Sequence, residues 1–265
     1  MKSGLTSFVG ITLFISGLLA QDKTKPPVVS KGEYSTLSRN TRGEAKTTRI
    51  DRWHMESLQD GSFSVDVELA TTIEGLKAEE HHLLTKELKP KRFASVMSSG
   101  VGTDGQSLKI ECDYGITELS CHTTDNGSSG AAKLLQKPPY IFWPTVEVPT
   151  FDFPWAFQAL GSQAERVVGH KTAMPLITLD DSETEKGMRL KVQEIEQVEY
   201  LGRETVNVLG QKLLAHKFRL ADPKNADATQ QFWVSESGIL LCMTIGEGGS
   251  MRITLTQYEG PPLDR

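Results

Sequence analysis

Apolar and polar residues alternate over two long stretches of the chain, which is typical of half-buried antiparallel strands. In the first stretch, residues 34–130, one alternating apolar set is Phe63, Val65, Val67 and Leu69. In the second stretch, residues 187–258, one strand face carries Leu214, His216, Phe218 and Leu220. Glycine-containing turn signals separate the runs, for example at residues 59–61, 103–105 and 246–249. The pattern therefore predicts two meanders of antiparallel strands.

Between these meanders, residues 138–168 lose the alternation and become rich in aromatic residues and proline. Residues 138–157 alone hold seven of the 19 aromatic residues and five of the 12 prolines. Asp152 is suited to cap a helix, and Phe153, Phe157 and Leu160 follow it at helical spacing. We therefore predict one amphipathic helix over residues 152–167.

The N-terminus has the composition of a secretory signal peptide. Lys2 precedes an apolar run that ends at Ala20, and a polar sequence begins at Gln21. We expect cleavage near Ala20 and a periplasmic or secreted protein. The apolar run is shorter than a membrane span requires, so no transmembrane segment is expected after cleavage. Residues 21–33 are polar and contain prolines, which predicts a mobile leader before a single β-rich domain over 34–260.

Three segments of the second meander resemble a group of uncharacterised secreted bacterial proteins. They are residues 204–210 (ETVNVLG), residues 216–220 (HKFRL) and residues 232–241 (FWVSESGILL), followed by the final strand ITLTQYE. The fold of that group is similar to the lipoprotein carriers of the Lol pathway, and the resemblance covers mainly residues 190–260. It implies a mainly β (α+β) fold, in which a curved antiparallel sheet or half-barrel of both meanders wraps around the helix near 152–167. It implies no activity.

Composition and charge exclude several classes of function. Hydrophobic residues make up 38% of the chain and charged residues 24%, with a net charge of −5 and no basic block. A mildly acidic chain of this kind is not expected to bind nucleic acid. The sequence contains no nucleophile elbow, HExxH, P-loop or CxxC motif, so it favours a non-enzymatic role without settling the question.

Two short motifs match the residue patterns of dinucleotide and metal sites, but the predicted structure around them does not fit such sites. Residues 100–105 match GxGxxG, yet the alternation that follows predicts a strand where a dinucleotide site needs a helix. We interpret this segment as a hairpin loop and expect no cofactor. Residues 79–82 read Glu-Glu-His-His, but neighbouring side chains of a strand point to opposite faces. Only two ligands would then share a face, so we expect no metal and interpret the run as a solvated charged strand. His216 is interpreted as a hydrogen-bonded core histidine.

The cysteines Cys112 and Cys121 flank one predicted hairpin, for which two registers compete. A turn centred on residues 114–115 would separate the two cysteines by roughly 13 Å, which is beyond the ~7 Å limit for a disulfide. A loop over residues 115–118 would instead pair Tyr114 with Leu119 and place the cysteines opposite each other. Glycine favours the first register, and an oxidising compartment favours the second. Cys242 is left over in both and is expected to be buried.

The aromatic segment provides the functional hypothesis. We expect five of its side chains to line the mouth of a cavity beneath the curved sheet: Tyr140, Phe142, Trp143, Phe151 and Trp155. The predicted function is a soluble envelope protein that binds a lipid, acyl chain or other apolar ligand, as a carrier or sensor. The alternative is a structural or interaction module that docks a partner protein of the envelope through this segment or an edge strand.

Overall fold

A computed structural model gives the structure of most of the chain. It describes residues 28–40, 42–71, 76–86, 90–99, 106–115, 118–125, 128–135, 141–142, 166–180, 189–222, 225–246 and 249–264. These residues form strands and turns without an α-helix, and hence without a helix that could cross a membrane.

Fifteen strands are present in the described part of the chain, and all of them belong to one sheet. Their bounds are β1 Val28–Arg39, β2 Ala45–Ser57, β3 Phe63–Thr71, β4 Leu76–Leu84, β5 Pro90–Ser99, β6 Gln106–Tyr114, β7 Glu118–Asp125, β8 Ser128–Leu135, β9 Ile141–Phe142, β10 Lys171–Asp180, β11 Arg189–Val208, β12 Gln211–Asp222, β13 Asn225–Val234, β14 Leu240–Ile245 and β15 Met251–Glu259. The spatial order is β8-β7-β6-β5-β4-β3-β2-β1-β15-β14-β13-β12-β11-β10-β9. Every neighbouring pair is antiparallel except β9 and β10. The two predicted meanders are therefore confirmed, and β1 joins them by pairing with β15.

The sheet is curved but does not close into a barrel. Its edges are β8 and β9, which are not hydrogen-bonded to each other, although β8 passes close to β11. Side chains from both meanders meet in one hydrophobic core, which includes Val65 and Leu69 of β3 together with Phe218 and Phe232. This shared core defines the inner face of the sheet, and the opposite face of β2 to β7 is the outer face.

Alternating residues place each side chain of β2 and β3 on one of these faces. Trp53 and Met55 are buried beside Val67 and Val65, their cross-strand neighbours. The indole of Trp53 lies directly over Gly32 of β1, where a Cβ atom would come within 2.9 Å of the ring. Glycine is required here because the backbone and the indole leave no room for a side chain.

The Cys112–Cys121 hairpin adopts the second of the two registers that the sequence allowed. Tyr114 pairs with Leu119, the cysteines lie directly opposite each other, and their sulfurs form a disulfide. Cys242 is a buried free thiol in β14. The glycine-rich residues 100–105 lie outside the described residues, and the strands on either side of them, β5 and β6, are antiparallel neighbours.

Two predicted boundaries need correction. Strand β1 begins at Val28, so residues 28–33 of the predicted mobile leader belong to the sheet. Composition could not show this, because β1 is held by β2 and β15, which come from opposite ends of the chain. Strand β10, at Lys171–Asp180, lies before the predicted start of the second meander. Proline has no N–H to donate to a sheet, and Pro175 lies at a register shift between Met174 and Leu176, where the hydrogen-bond ladder is already interrupted.

Most of the predicted helix over 152–167, namely residues 152–165, lies outside the described residues. The two residues that are described, Arg166 and Val167, lie in a turn in which the backbone N–H of His170 donates to the Val167 carbonyl. What the structure shows is a mainly antiparallel β fold, curved and barrel-like.

Candidate functional site

The inner face of the sheet carries an ion pair in an otherwise apolar setting. Arg49 and Asp51 are two residues apart on β2 and therefore point to the same face. The Arg49 Nε atom donates to Asp51 Oδ1 over 2.5 Å, and the two side chains are only 6% and 0% exposed. Leu69 lies opposite Asp51 on β3, and it belongs to the hydrophobic core.

The Asp51 carboxylate has one satisfied oxygen and one unsatisfied oxygen. Its Oδ2 atom is buried and has no hydrogen-bond partner among the described residues. Tyr34 lies opposite on β1, but its hydroxyl donates to the backbone carbonyl of Leu240, 3.0 Å away. Burial raises the pKa of Asp51 above its usual value, while the charge of Arg49 acts in the opposite direction.

A second unsatisfied polar atom lies beside the same ion pair. Thr36 of β1 is directly opposite Arg49, and its side chain is buried on the inner face. The Thr36 Oγ1 atom has no hydrogen-bond partner among the described residues. Thr36, Arg49 and Asp51 therefore form a buried polar cluster on β1 and β2, which we call the inner polar cluster.

A further pair of titratable side chains lies on the inner face of β4. The Nε2 atom of His82 is 3.2 Å from Glu80 Oε2, and the Glu80 side chain is fully buried. Ser95 of β5 is buried directly opposite Glu80, and the ring of Phe93 lies 5.0 Å from that of His82. The interpretation of residues 79–82 as a solvated strand is therefore wrong for these two side chains.

The other two residues of that run behave as predicted. Glu79 and His81 are exposed on the outer face, where His81 Nδ1 lies 2.6 Å from Asp66 Oδ1. Four consecutive polar residues contain no hydrophobic alternation of their own, and only their phase with Ala78 and Leu84, which are buried on the same strand, indicates which pair faces inward. No cluster of three or more metal-ligating side chains with the geometry of a metal site exists among the described residues.

His216 lies on the inner face of β12 and is 3% exposed. Its Nδ1 atom is 2.9 Å from the Tyr200 hydroxyl, and its Nε2 atom is 3.0 Å from Glu236 Oε2. The prediction of a hydrogen-bonded core histidine is confirmed. Arg203 and Arg166 also pair with Glu236, so the network ties the β13–β14 turn to β11 and β12. The hydrogen bond from His216 holds the pKa of Glu236 below its usual value.

A polar cleft of about 660 Å³ lies across the ends of β15, β1, β2 and β3. Its cations face carboxylates of the same cleft: Lys31 pairs with Glu259 over 2.9 Å, and Arg52 pairs with Glu33 over 3.0 Å. Because both of these cations are neutralised by carboxylates and most of the four side chains are exposed, the described part of the cleft offers an anionic ligand no unpaired lysine or arginine.

The predicted cavity-mouth residues are largely outside the described part of the chain. Tyr140, Trp143, Phe151 and Trp155 are not described, and Phe142 is known only as the second residue of β9, where its backbone pairs with Ile177. Their role at a cavity mouth stays a prediction.

The inner polar cluster was missed by the sequence analysis, although the sequence contains a signal for it. Arg49 and Asp51 have the same parity along β2 as Trp53 and Met55, both of which are buried. A charged residue in phase with the apolar side of a strand is therefore the pattern that would have found the cluster.

No protein-family model and no curated protein matches this chain. Among solved structures, the chain is similar to a beta-barrel-like protein of the domain of unknown function DUF1849 from Brucella abortus. That match has a TM-score of 0.52 and 13% sequence identity, and it covers 88% of this chain and 98% of that chain. At this identity the likeness shows the fold alone, so the chain has a β-barrel-like fold.

A protein with a YmcC-like fold from Bacteroides fragilis also matches, with a TM-score of 0.32 and 7% identity, over 88% of this chain and 97% of that chain.

Proposed function

We propose that this protein binds a ligand with an apolar body inside the curve of its sheet, as a carrier or sensor of the cell envelope. The observation that carries the proposal is the placement of charged residues on the apolar inner face. A buried ion pair is seldom more stabilising than well-packed apolar residues of the same volume. A face that served stability alone would therefore have no need of Arg49, Asp51 and Glu80, whereas polar recognition of a ligand uses such groups.

Two features support an envelope location. The disulfide between Cys112 and Cys121 is of a kind that persists in oxidising compartments such as the periplasm and is rare in the cytosol. Residues 1–20 have the composition of a signal peptide with cleavage near Ala20. We propose that the mature protein is exported.

The finer architecture that we propose follows the resemblance to the Lol-pathway carriers. Residues 152–167 would form a helix against the inner face of the sheet. The aromatic residues of the preceding segment would then line the entrance to the ligand: Tyr140, Phe142, Trp143, Phe151 and Trp155. This arrangement would give an acyl chain an apolar route into the interior.

The test is native mass spectrometry of the mature protein, purified from a periplasmic extract without detergent, followed by titration with N-phenyl-1-naphthylamine, a neutral apolar fluorescent probe. We expect a co-purified lipid-like mass or saturable binding of the probe. Ala78 is buried on the inner face between Leu69 and Met97, so Ala78→Phe should fill part of the interior and weaken probe binding. Val96 is exposed on the outer face, so Val96→Phe is the matched control and should bind as the parent does.

An empty protein that binds no probe would refute the proposal. If such a protein instead co-eluted with one defined envelope protein, the alternative prediction of a docking module would take its place. Equal effects of Ala78→Phe and Val96→Phe on probe binding, with both variants folded, would show that any binding occurs outside the inner face.

A further inference from the structure

The inner polar cluster contains two buried polar atoms that have no hydrogen-bond partner in the described part of the chain. They are Asp51 Oδ2 and Thr36 Oγ1, and they flank Arg49 on the adjacent strands β2 and β1. All three side chains are more than nine-tenths buried. A buried polar atom without a partner is destabilising and is rare in folded proteins, so two of them beside one ion pair point to a missing group.

The chemistry of the two atoms restricts that group. Ionised Asp51 only accepts hydrogen bonds, so its free oxygen requires an N–H or O–H donor. The Thr36 hydroxyl can donate to an oxygen of the same ligand. A hydroxyl group has the chemistry to satisfy both atoms, because it can donate to Asp51 and accept from Thr36.

The charge of the cluster restricts the group further. The side chains of Arg49 and Asp51 are within hydrogen-bonding distance, and together they carry no net charge. A carboxylate or ammonium group added beside them would leave one buried charge uncompensated, which is strongly unfavourable. A neutral polar group avoids that penalty.

We infer that Thr36, Arg49 and Asp51 form the anchor for the hydroxyl end of a neutral amphiphile, such as a long-chain alcohol or an acylglycerol, whose chain lies along the apolar inner face. This inference rests on the proposed function, since it names the head group of the ligand that we place inside the sheet.

The test compares three ligands with one chain and different head groups: decan-1-ol, decanoate and decylammonium. Each is titrated against the mature protein that carries bound N-phenyl-1-naphthylamine, and its dissociation constant follows from displacement of the probe. We expect decan-1-ol to bind at least about tenfold more tightly than either charged ligand. Tightest binding of decanoate or decylammonium would overturn the inference.

Two variants assign the preference to the cluster. Thr36→Val keeps the shape of the side chain and removes its hydroxyl, and Arg49→Met/Asp51→Leu removes both charges together. We expect both variants to bind the probe but to lose most of the preference for decan-1-ol. Ser95→Ala is the control, because Ser95 is also buried on the inner face with an unpartnered hydroxyl but lies on β5.

A preference for decan-1-ol that survives in Thr36→Val would overturn the inference. If the double variant fails to fold, the result for Thr36→Val alone decides whether the inference holds. A preference lost equally in Ser95→Ala would place the anchor elsewhere on the inner face. If the parent protein binds neither the probe nor any of the three ligands, the proposed function itself fails. Binding of all three ligands with equal affinity would leave the proposed function standing and refute the anchor alone.

Discussion

Phe218 lies at the centre of an aromatic row that links three strands of the second meander. Its side chain is fully buried on β12. Its ring centre is 5.2 Å from that of Tyr200 on β11 and 5.1 Å from that of Phe232 on β13. The rings of Phe218 and Phe232 are stacked. Phe218→Ala should therefore remove the contact that fixes β11 and β13 against the same inner surface.

The magnitude follows from the burial and the ring contacts. Truncation of a buried phenylalanine to alanine costs about 3–5 kcal/mol, because it removes apolar surface and leaves a cavity. Aromatic pairs at these distances contribute about 0.5–1.5 kcal/mol beyond their buried area. Since Phe218 takes part in two such pairs, we expect a loss in the upper part of that range, about 4–5 kcal/mol.

Leu214 provides the internal control for this prediction. It lies on the same strand and has the same parity as Phe218, but 49% of its surface is exposed near the end of the sheet. Leu214→Ala should therefore change the free energy of unfolding by less than about 1 kcal/mol. Sequence alternation alone assigns both residues to one face and would not separate them.

The assay is urea denaturation of the oxidised mature protein, followed by far-UV circular dichroism, with the slope m compared between variants. Thermal unfolding should show a decrease in Tm of roughly 10 °C for Phe218→Ala and little change for Leu214→Ala. Equal losses in the two variants, at equal m, would refute the assignment of Phe218 to the centre of the core.

Three further predictions address the packing, the cysteines and the pH dependence. Gly32→Ala should lower the free energy of unfolding by about 1–3 kcal/mol in urea denaturation, because a Cβ atom would meet the Trp53 indole at 2.9 Å; unchanged stability would contradict that contact. Alkylation with iodoacetamide should label no thiol in the folded protein near neutral pH, because Cys242 is buried and burial raises its pKa to about 11. It should label one thiol after denaturation and three after reduction; three labelled thiols without reductant would exclude the disulfide. Glu236→Gln should destabilise the protein near neutral pH, and this deficit should shrink towards acid pH, as the pH falls below 4.5 and through the lowered folded-state pKa. The reason is that the hydrogen bond from His216 lowers the carboxyl pKa, and its stabilisation is lost on protonation. A deficit that persists unchanged at the acid pH would show that the charge of Glu236 is irrelevant.

The local features of this fold could be predicted from the sequence, because side-chain alternation reports which face of a strand is buried. The run from Phe63 to Leu69 shows this on β3, where Val65, Val67 and Leu69 are buried. The pairing of β1 with β15 could not be predicted, because it joins residues that are more than 200 positions apart and no local pattern records such a contact.

The candidate site was harder to predict for a related reason. Glu80 and His82 are buried because the register with β3 places them opposite Val67 and Val65, and not because of their own chemistry. Polar residues at inward positions are the exceptions to hydrophobic patterning, and such exceptions tend to occur at functional sites. The inner polar cluster is one such exception to the patterning, and a search for catalytic or metal motifs gives no reason to select it.

The two meanders make different contributions to the inner face. In the second meander, the largest fully buried side chains are all apolar and include Phe218, Phe232, Met243, Ile253 and Leu255. In the first meander, strand β2 carries the buried Arg49–Asp51 ion pair and strand β4 carries the buried Glu80–His82 pair. Stability of the sheet therefore depends mainly on the apolar half, where a truncation leaves a cavity.

This difference explains why the ion pair on β2 should tolerate replacement by apolar residues. Replacing a buried ion pair by apolar residues of similar volume is often neutral or stabilising, whereas removing one partner leaves an uncompensated charge. The double variant Arg49→Met/Asp51→Leu should therefore remain folded, while Asp51→Leu alone should lower the free energy of unfolding by about 3–5 kcal/mol. A sheet that carries such a pair, where apolar residues would stabilise it equally well, is the pattern on which the proposal of a bound ligand rests.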